Sequence, residues 1–350
     1  MRFPEYWQAP PYKPEKYGNT PLPLVDKFTR QYFANTVASK AAFFAGEVDQ
    51  LAPGGGLDVV LTREELERVP NAIVETNLYW SCCPLGIALQ YKNPLFQDIR
   101  VRQALSMSIN RPQVWSDGMD KTGVVGASPV PFDFSGYKDG LPPDLDAYGP
   151  NAQYNPQRAK ELLAEAGVST PLKFQIYATV QGNPAWQGAL DTVVFNWQQA
   201  GIAEAEIVVR DPLVYGQDLR ENSFPDMVFS IGLLPFGYTI DSLVAPAFLT
   251  DSPSNRGSVS DPQLDDLLNK WAVATDPATG VDLARQMSTR IVDNVDHLWF
   301  GWIGGIEVDQ PWFHGEVMSV HNQPNGIGLG NYKYVWIDET APGGRGGKPV

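Results

Sequence analysis

The chain has 350 residues, a formal net charge of −14 at pH 7, and apolar and aromatic fractions of 43% and 11%. That length suits two domains or one large α/β unit, and so much apolar and aromatic material excludes a disordered chain. The acidic balance, with no run of Lys or Arg able to neutralise a phosphate backbone, excludes nucleic acid as a partner.

The first residues, Met1 to Leu24, have neither the basic-then-apolar profile of an export signal nor an apolar run long enough to cross a bilayer. At Leu61 to Leu66 a capping box is expected, with Thr62 accepting from the Glu65 amide and the helix ending near Pro70. Cys82 and Cys83 are the only cysteines and are adjacent, so no disulfide framework is expected. They read as two plain thiols; a soft metal or a redox change is the alternative, with no His or further Cys beside them to complete a site.

From Phe96 to Arg111 the sequence "FQDIRVRQALSMSINR" predicts a helix capped by Asp98, burying Val101, Ala104, Leu105, Ser108 and Ile109. Asn110 suits a left-handed exit and Pro112 the start of the next segment. Arg100 and Arg102 invite an anion-site reading, but cations gain nothing from the dipole of a first helical turn. Structural ion pairs are the expected role. Gly118 to Gly126 and Pro53 to Gly56 are expected loops.

Asn155 and Pro156 open a helix with Ala159, Leu162, Leu163 and Ala166 on one face, closed by Gly167. A strand follows in which Leu172, Phe174 and Ile176 alternate with Lys173, Gln175 and Tyr177. Next come a helix from Pro184 to Ala200 stopped by Gly201, a strand from Ala205 to Arg210, a helix from Pro212 to Glu221, and a strand within Asp226 to Gly232. That order of elements argues for parallel pairing through right-handed crossovers. Ser260, Asp261 and Pro262 open a helix carrying Leu264, Leu267, Leu268 and Trp271, and Val281 to Trp299 continues in helical period. Trp299 to Gln310 reads as one buried strand bent at two glycines, and the tail after Thr340 as frayed.

Catalytic signatures are scarce. "GGRGGKPV" places Pro349 where a phosphate loop needs Ser or Thr, and "GIGLGN" at Gly326 to Asn331 follows no strand. His297, His314 and His321 lack zinc spacing, so no metal site is expected, and no nucleophile elbow occurs. Paired carboxylates such as Asp265 and Asp266 read as solvated helix faces and leave a glycosidase open. Aromatic residues gather at Asn77 to Trp80, Leu233 to Tyr238 and Trp299 to Trp302, and aromatic faces suit amphipathic ligands.

The stretch Asn93 to Val114 closely resembles the signature of the family 5 extracellular solute-binding proteins of ABC transporters. There an apolar residue and Asp-x-Arg-x-Arg-x-Ala lead a helix ending in Asp or Asn followed by Arg, here Phe96, Asp98, Arg100, Arg102, Ala104, Asn110 and Arg111. Pro4 to Trp7, Ala42 to Leu51, Tyr154 to Gly167 and Val259 to Leu268 resemble further family elements in the same order.

The resemblance implies an α/β, two-lobed periplasmic-binding-protein-like (type II) fold in which two hinge strands join lobes that close over a solute. Residues 1–89 are then part of the first lobe, 90–301 the second, and 302–350 a return to the first with a frayed end. Members begin with an export signal and a long first-lobe portion, so the first lobe is expected to be incomplete. Peptide-binding members offer an acid to the ligand's amino group from the loop that here reads "LLPFGYTIDSL", where Asp241 is the one carboxylate.

The expected function is therefore an extracytoplasmic receptor that passes a peptide-like or other small amphipathic solute to a membrane permease. Trp80, Phe236, Tyr238 and Trp302 are expected to stack on ligand and Asp241 to bind it by charge or hydrogen bond. No catalytic residue, no cofactor, a monomeric state and a periplasmic or otherwise extracytoplasmic location complete the expectation. The alternative is a carboxylate-pair glycoside hydrolase on an α/β scaffold.

Overall fold

A computed structural model describes residues 24–29, 31–33, 36–51, 63–77, 84–118, 124–130, 144–179, 184–230, 240, 244–302, 305–314, 335–344 and 346. In chain order the described helices are α1 (Thr36–Phe44), α2 (Arg63–Leu66), α3 (Ile99–Met107), α4 (Arg111–Gln113), α5 (Pro156–Glu165), α6 (Pro184–Gln199), α7 (Pro212–Glu221), α8 (Ala245–Phe248), α9 (Pro262–Ala272) and α10 (Pro277–Asn294). The strands are β1 (Gln50–Leu51), β2 (Ile73–Asn77), β3 (Pro84–Leu89), β4 (Val124–Val125), β5 (Leu172–Ala178), β6 (Ala203–Val209), β7 (Met227–Ser230), β8 (His297–Trp302), β9 (Gly305–Asp309), β10 (Phe313–His314) and β11 (Trp336–Ile337).

The chain divides into two compact units, one of residues 1–77 with 304–350 and one of 78–303. β3 pairs with both β7 and β8 and lies in the second of these compact units, whereas the lobe boundaries expected from sequence are after Leu89 and after Gly301.

In the first unit β9 pairs antiparallel with β1 and β2, over a small core of Phe43, Leu51, Val69 and Val308. Trp312 Nε1 donates to Asp49 Oδ1 at 2.9 Å. The pair β10 and β11 brings His314 Nε2 within 2.7 Å of Asp338 Oδ2, with Trp336 stacked on the imidazole at 4.3 Å. This contact and the Thr340 donors hold the Asp338 carboxyl down at about 2.

In the second unit the sheet order is β4-β8-β3-β7-β5-β6, with β5 parallel to β6 and β7 and the other pairings antiparallel. The crossovers follow from the sequence pattern. Alternation in β5 buries Leu172, Phe174, Ile176 and Ala178, and Asn155 caps α5 by accepting from the Arg158 amide. Gly167 and Gly201 follow α5 and α6 at φ +70° and +65°, a region that suits glycine after a helix. One core cluster joins Trp299, Phe248 and Val228 to Leu264, Leu268, Ala284, Met287 and Ile291 from α9 and α10.

Four local expectations change. The helix expected through Trp299 stops at Asn294, Val295 taking φ +47°, and His297–Trp302 is strand β8. The single strand expected over Trp299 to Gln310 is two, β8 and β9, in different sheets. Asn110 is not left-handed; at φ −80° it caps α4, its side chain accepting from the Gln113 amide. Within the expected loop from Gly118 to Gly126, Gly118 closes a π-helical turn from Val114, and Val124 and Val125 form β4. Thr62 and Pro53 to Gly56 lie outside the described residues.

Candidate ligand site

Register fixes which strand ends share an edge. Ala178 lies opposite Phe229 and Val209, Ser230 opposite Gly86, and Pro84 opposite Trp302. The carboxyl ends of β5, β6, β7 and β8 therefore meet the start of β3 at one end of the sheet. The chain leaves β5 toward β6 on one side, and leaves β7 toward β8 on the other. Such a switch point opens a crevice at the carboxyl ends of parallel strands, the usual place for a ligand in an open α/β sheet. The chain also enters and leaves this unit at the same end, before Pro84 and after Trp302.

Among the described residues this end presents Tyr177, whose ring lies 4.7 Å from the Arg210 guanidinium carbon. Arg210 Nε donates to Asp218 Oδ2 at 2.8 Å, and that hydrogen bond raises the guanidinium pKa further. Tyr215 donates to the Phe229 carbonyl at 2.9 Å. Val209 and Val214 are exposed and Leu213 is 84% exposed, an apolar rim beside the charge. Sequence reading missed Tyr177, Arg210 and Leu213. The position of Arg210 directly after an edge strand and before the capping Asp211 was the available signal.

Of the residues expected to meet ligand, Trp80, Phe236, Tyr238 and Asp241 lie outside the described residues. Trp80 precedes β3 in sequence, and the other three follow β7. Trp302 is described and is 0% exposed; it packs in a core cluster with Ala127, Tyr148, Ala152 and Val292. Its indole lines the interior of the second unit.

The signature segment is a scaffold. Asp98 caps α3 by accepting from the Arg100 amide, and pairs with the Arg100 guanidinium at 2.6 Å. That bonding lowers the Asp98 pKa. Arg100 also donates to the Glu165 carbonyl at the end of α5, at 2.7 Å. The expected ion pair is thus present for Arg100; among the described residues none is formed by Arg102, which is buried and donates to the carbonyls of Asn294, Phe96 and Gln97 at 2.9–3.0 Å. Arg111, 2% exposed, donates to the carbonyls of Trp299, Ala152 and Ser106 and to Ser106 Oγ. Burial pushes its pKa down to about 10, so it stays cationic at neutral pH.

The other end of the sheet collects buried titratable groups. Burial raises Asp296 to about 7 and lowers His297 to about 4. Tyr91 donates to Asp296 Oδ1 at 3.4 Å, and its pKa is raised by burial. His297 Nδ1 accepts from the Leu89 amide at 3.3 Å, which fixes its tautomer as neutral with the proton on Nε2. A shallow depression of about 460 Å³ also lies here, lined by Gln90, Lys92, Asn93, Asn222 and Ser223. Among the described residues no cluster of His, Cys, Asp or Glu has the arrangement of a metal site, and no helix is long and apolar enough to cross a membrane.

Comparison with known proteins extends this geometry. The sequence model of the bacterial extracellular solute-binding proteins, family 5 Middle, matches residues 1–251. The oligopeptide-binding protein AppA of Bacillus subtilis is 30% identical over 149 residues, 41% of this chain and 24% of that one. The dipeptide-binding protein of Escherichia coli is 31% identical over 120 residues, 33% and 21% of the two chains. The chain thus spans about a quarter of the length of these curated relatives.

Among solved structures, AgaA of A. tumefaciens R10 in complex with agropinic acid superposes with a TM-score of 0.72 at 16% identity, covering 91% of this chain and 62% of that one. AppA of B. subtilis in complex with a nonapeptide gives 0.67 at 18% identity, covering 87% and 59%. The fold is that of the two-lobed binding proteins, and none of these similarities supports a glycoside hydrolase.

Proposed function

The chain belongs to the bacterial extracellular solute-binding proteins of family 5, and from that premise we propose that it is an extracytoplasmic receptor that captures a small solute between two closing lobes and hands it to an ABC-transporter permease. The observation that carries this reading is the switch point between β5 and β7, at the sheet end where the chain also crosses between its two units. A ligand held there stabilises a closed form in proportion to the contacts that only that form makes.

The ligand class is peptide-like or otherwise amphipathic. Phe236 and Tyr238 would cover it, with Trp80 from the segment before β3, while Asp241 would meet a cationic or hydroxyl group. Trp302 would back this surface from the interior. Tyr177 and Arg210 add a ring and a cation at the same sheet end, so a ligand carboxylate has a partner as well. Similar folds solved in complex with a nonapeptide and with agropinic acid make both ligand types first choices for the test.

The test is a melting-temperature screen of the full chain against peptides of graded length and sugar-derived amino acids. A true ligand raises the transition progressively with its concentration, by about 2.7 kcal/mol of apparent stability at a hundredfold excess over Kd. Absence of a shift with every class, together with turnover of a chromogenic glycoside, would overturn the receptor reading.

A further inference from the structure

At the junction of α10 and β8, two consecutive residues are held against their preferences. Val295 is buried at φ +47° and ψ +55°, a left-handed conformation that strains a β-branched residue. Asp296 is 2% exposed, and its Oδ2 has no hydrogen-bond partner. A buried polar atom left unmet in this way calls for a physical reason.

Tyr91 connects this carboxyl to a cation. Its hydroxyl is 3.4 Å from Asp296 Oδ1, and its ring centroid lies 5.0 Å from the guanidinium carbon of Arg102. Arg102 uses Nε on the Asn294 carbonyl and Nη1 on those of Phe96 and Gln97, while its Nη2 makes no hydrogen bond among the described residues. Asp296 thus has an unmet acceptor and Arg102 an unused donor, with one phenol in contact with both. The other charges that face Asp296 are Asp261, before α9, and Arg290, on α10, and these neutralise each other in a 2.6 Å pair. The neighbouring His297, at about 4, stays neutral above that pH. Asp296 also follows the carbonyl end of α10, where a helix dipole disfavours an anion. Desolvation dominates and holds the carboxyl at about 7.

From this cluster we infer a proton-operated switch in which Tyr91, Arg102 and Asp296 set the state of the α10–β8 junction. With its proton, Asp296 rests against the Tyr91 hydroxyl, and Arg102 holds the Asn294 carbonyl at the end of α10. When the proton leaves to solvent, the carboxylate draws the guanidinium through Nη2, the Asn294 carbonyl loses its donor, and the last turn of α10 opens around the strained Val295. Arg102 of the signature is then a moving part as well as a packing one. The switch lies within the second unit and works without ligand.

The experiment follows three signals in the full chain between pH 6 and 8: the carboxyl carbon of Asp296 and the Nε–H of Arg102 by NMR, and amide exchange at residues 295–297. In the wild type the carboxyl should titrate at about 7, and the Arg102 resonance should move with the same midpoint. Amide protection, corrected for intrinsic exchange, should fall about tenfold over the interval. In Asp296→Asn the Arg102 resonance should stay in place and protection should hold within about twofold. A purely structural Arg102 would not follow the titration of its neighbour. Should D296N fold poorly, Tyr91→Phe replaces it: the carboxyl and Arg102 midpoints should rise together, because the lost hydroxyl favours the ionised form. A carboxyl midpoint at the ordinary value of about 4 would overturn the inference. So would a carboxyl that titrates near neutrality while Arg102 and the amides stay unchanged.

Discussion

The two ends of the six-stranded sheet solve the burial of polar groups in opposite ways. Where β3 ends and β8 begins, the interior holds groups that titrate: Asp296, His297 and Tyr91, with Arg102, Asp261 and Arg290 around them. Where β8 ends and the chain crosses to the other unit, the interior holds Arg111 and Trp115, donors that keep their protons at any ordinary pH and bind backbone carbonyls. The hydrogen bonds of Arg111 and Trp115 to backbone therefore do not change with external pH. The far end carries a pH dependence of its own.

The comparison is broken most forcefully at Arg111. Replacing it with Met leaves carbonyls of Trp299, Ala152 and Ser106 short of a donor. The expected loss is roughly 3–5 kcal/mol, read by denaturant unfolding, and independent of pH between 5 and 8.

Next in size is the pair at the far end. Asp296 keeps, up to about pH 7, a proton that the unfolded chain releases near 3.8, so its contribution to stability is lost as pH rises through that window. His297 refuses, down to about pH 4, a proton that the unfolded chain binds near 6.5, so its contribution is lost as pH falls. The two slopes oppose each other between pH 4 and 6.5 and leave the wild type nearly flat from this source. Asp296→Asn should expose a stability that rises with pH, and His297→Asn one that falls, each by on the order of 3 kcal/mol across the window. Parallel slopes in the two variants would refute the opposition.

A smaller effect belongs to Asp261, which caps α9 through the Gln263 and Leu264 amides, pairs with Arg290 at 2.6 Å and accepts from Asn294 at 2.8 Å. Asp261→Ala should cost about 2 kcal/mol in urea unfolding. The smallest is Glu165→Ala on the outer face of α5, whose 2.7 Å pair with Arg158 is exposed on both sides. It should change stability by less than about 0.5 kcal/mol and marks the baseline for the rest.

Much of this scaffold is legible from residue order. Asp98, Asn155, Asp211 and Asp261 each precede a helix and each caps it, because a short polar side chain before an apolar-periodic run has few better partners than the free amides of the first turn. Alternation betrayed β5 for the same reason: one face is buried and the other is not. β8 was misread because all six of its residues are buried. A run buried on both faces has no period of two, and His297 to Trp299 fits the preceding helical pattern equally well.

β3 is also buried throughout, and nothing local says which sheet it joins. The switch point depends on strand order, a long-range property that no window of sequence contains. Arg111 was legible as part of a signature, but its hydrogen bond to the Trp299 carbonyl spans nearly two hundred residues, and nothing local marked Trp115.

The receptor reading meets its most direct test in binding isotherms of the solute that shifts the melting transition, measured on the wild type and on variants at the two sheet ends. Tyr238→Ala and Arg210→Ala should each weaken binding about tenfold or more, while Lys92→Ala and Asn93→Ala, beside the depression at the opposite end, should leave it within about twofold. Loss of binding in the Lys92 and Asn93 variants, with Tyr238 and Arg210 dispensable, would contradict the account.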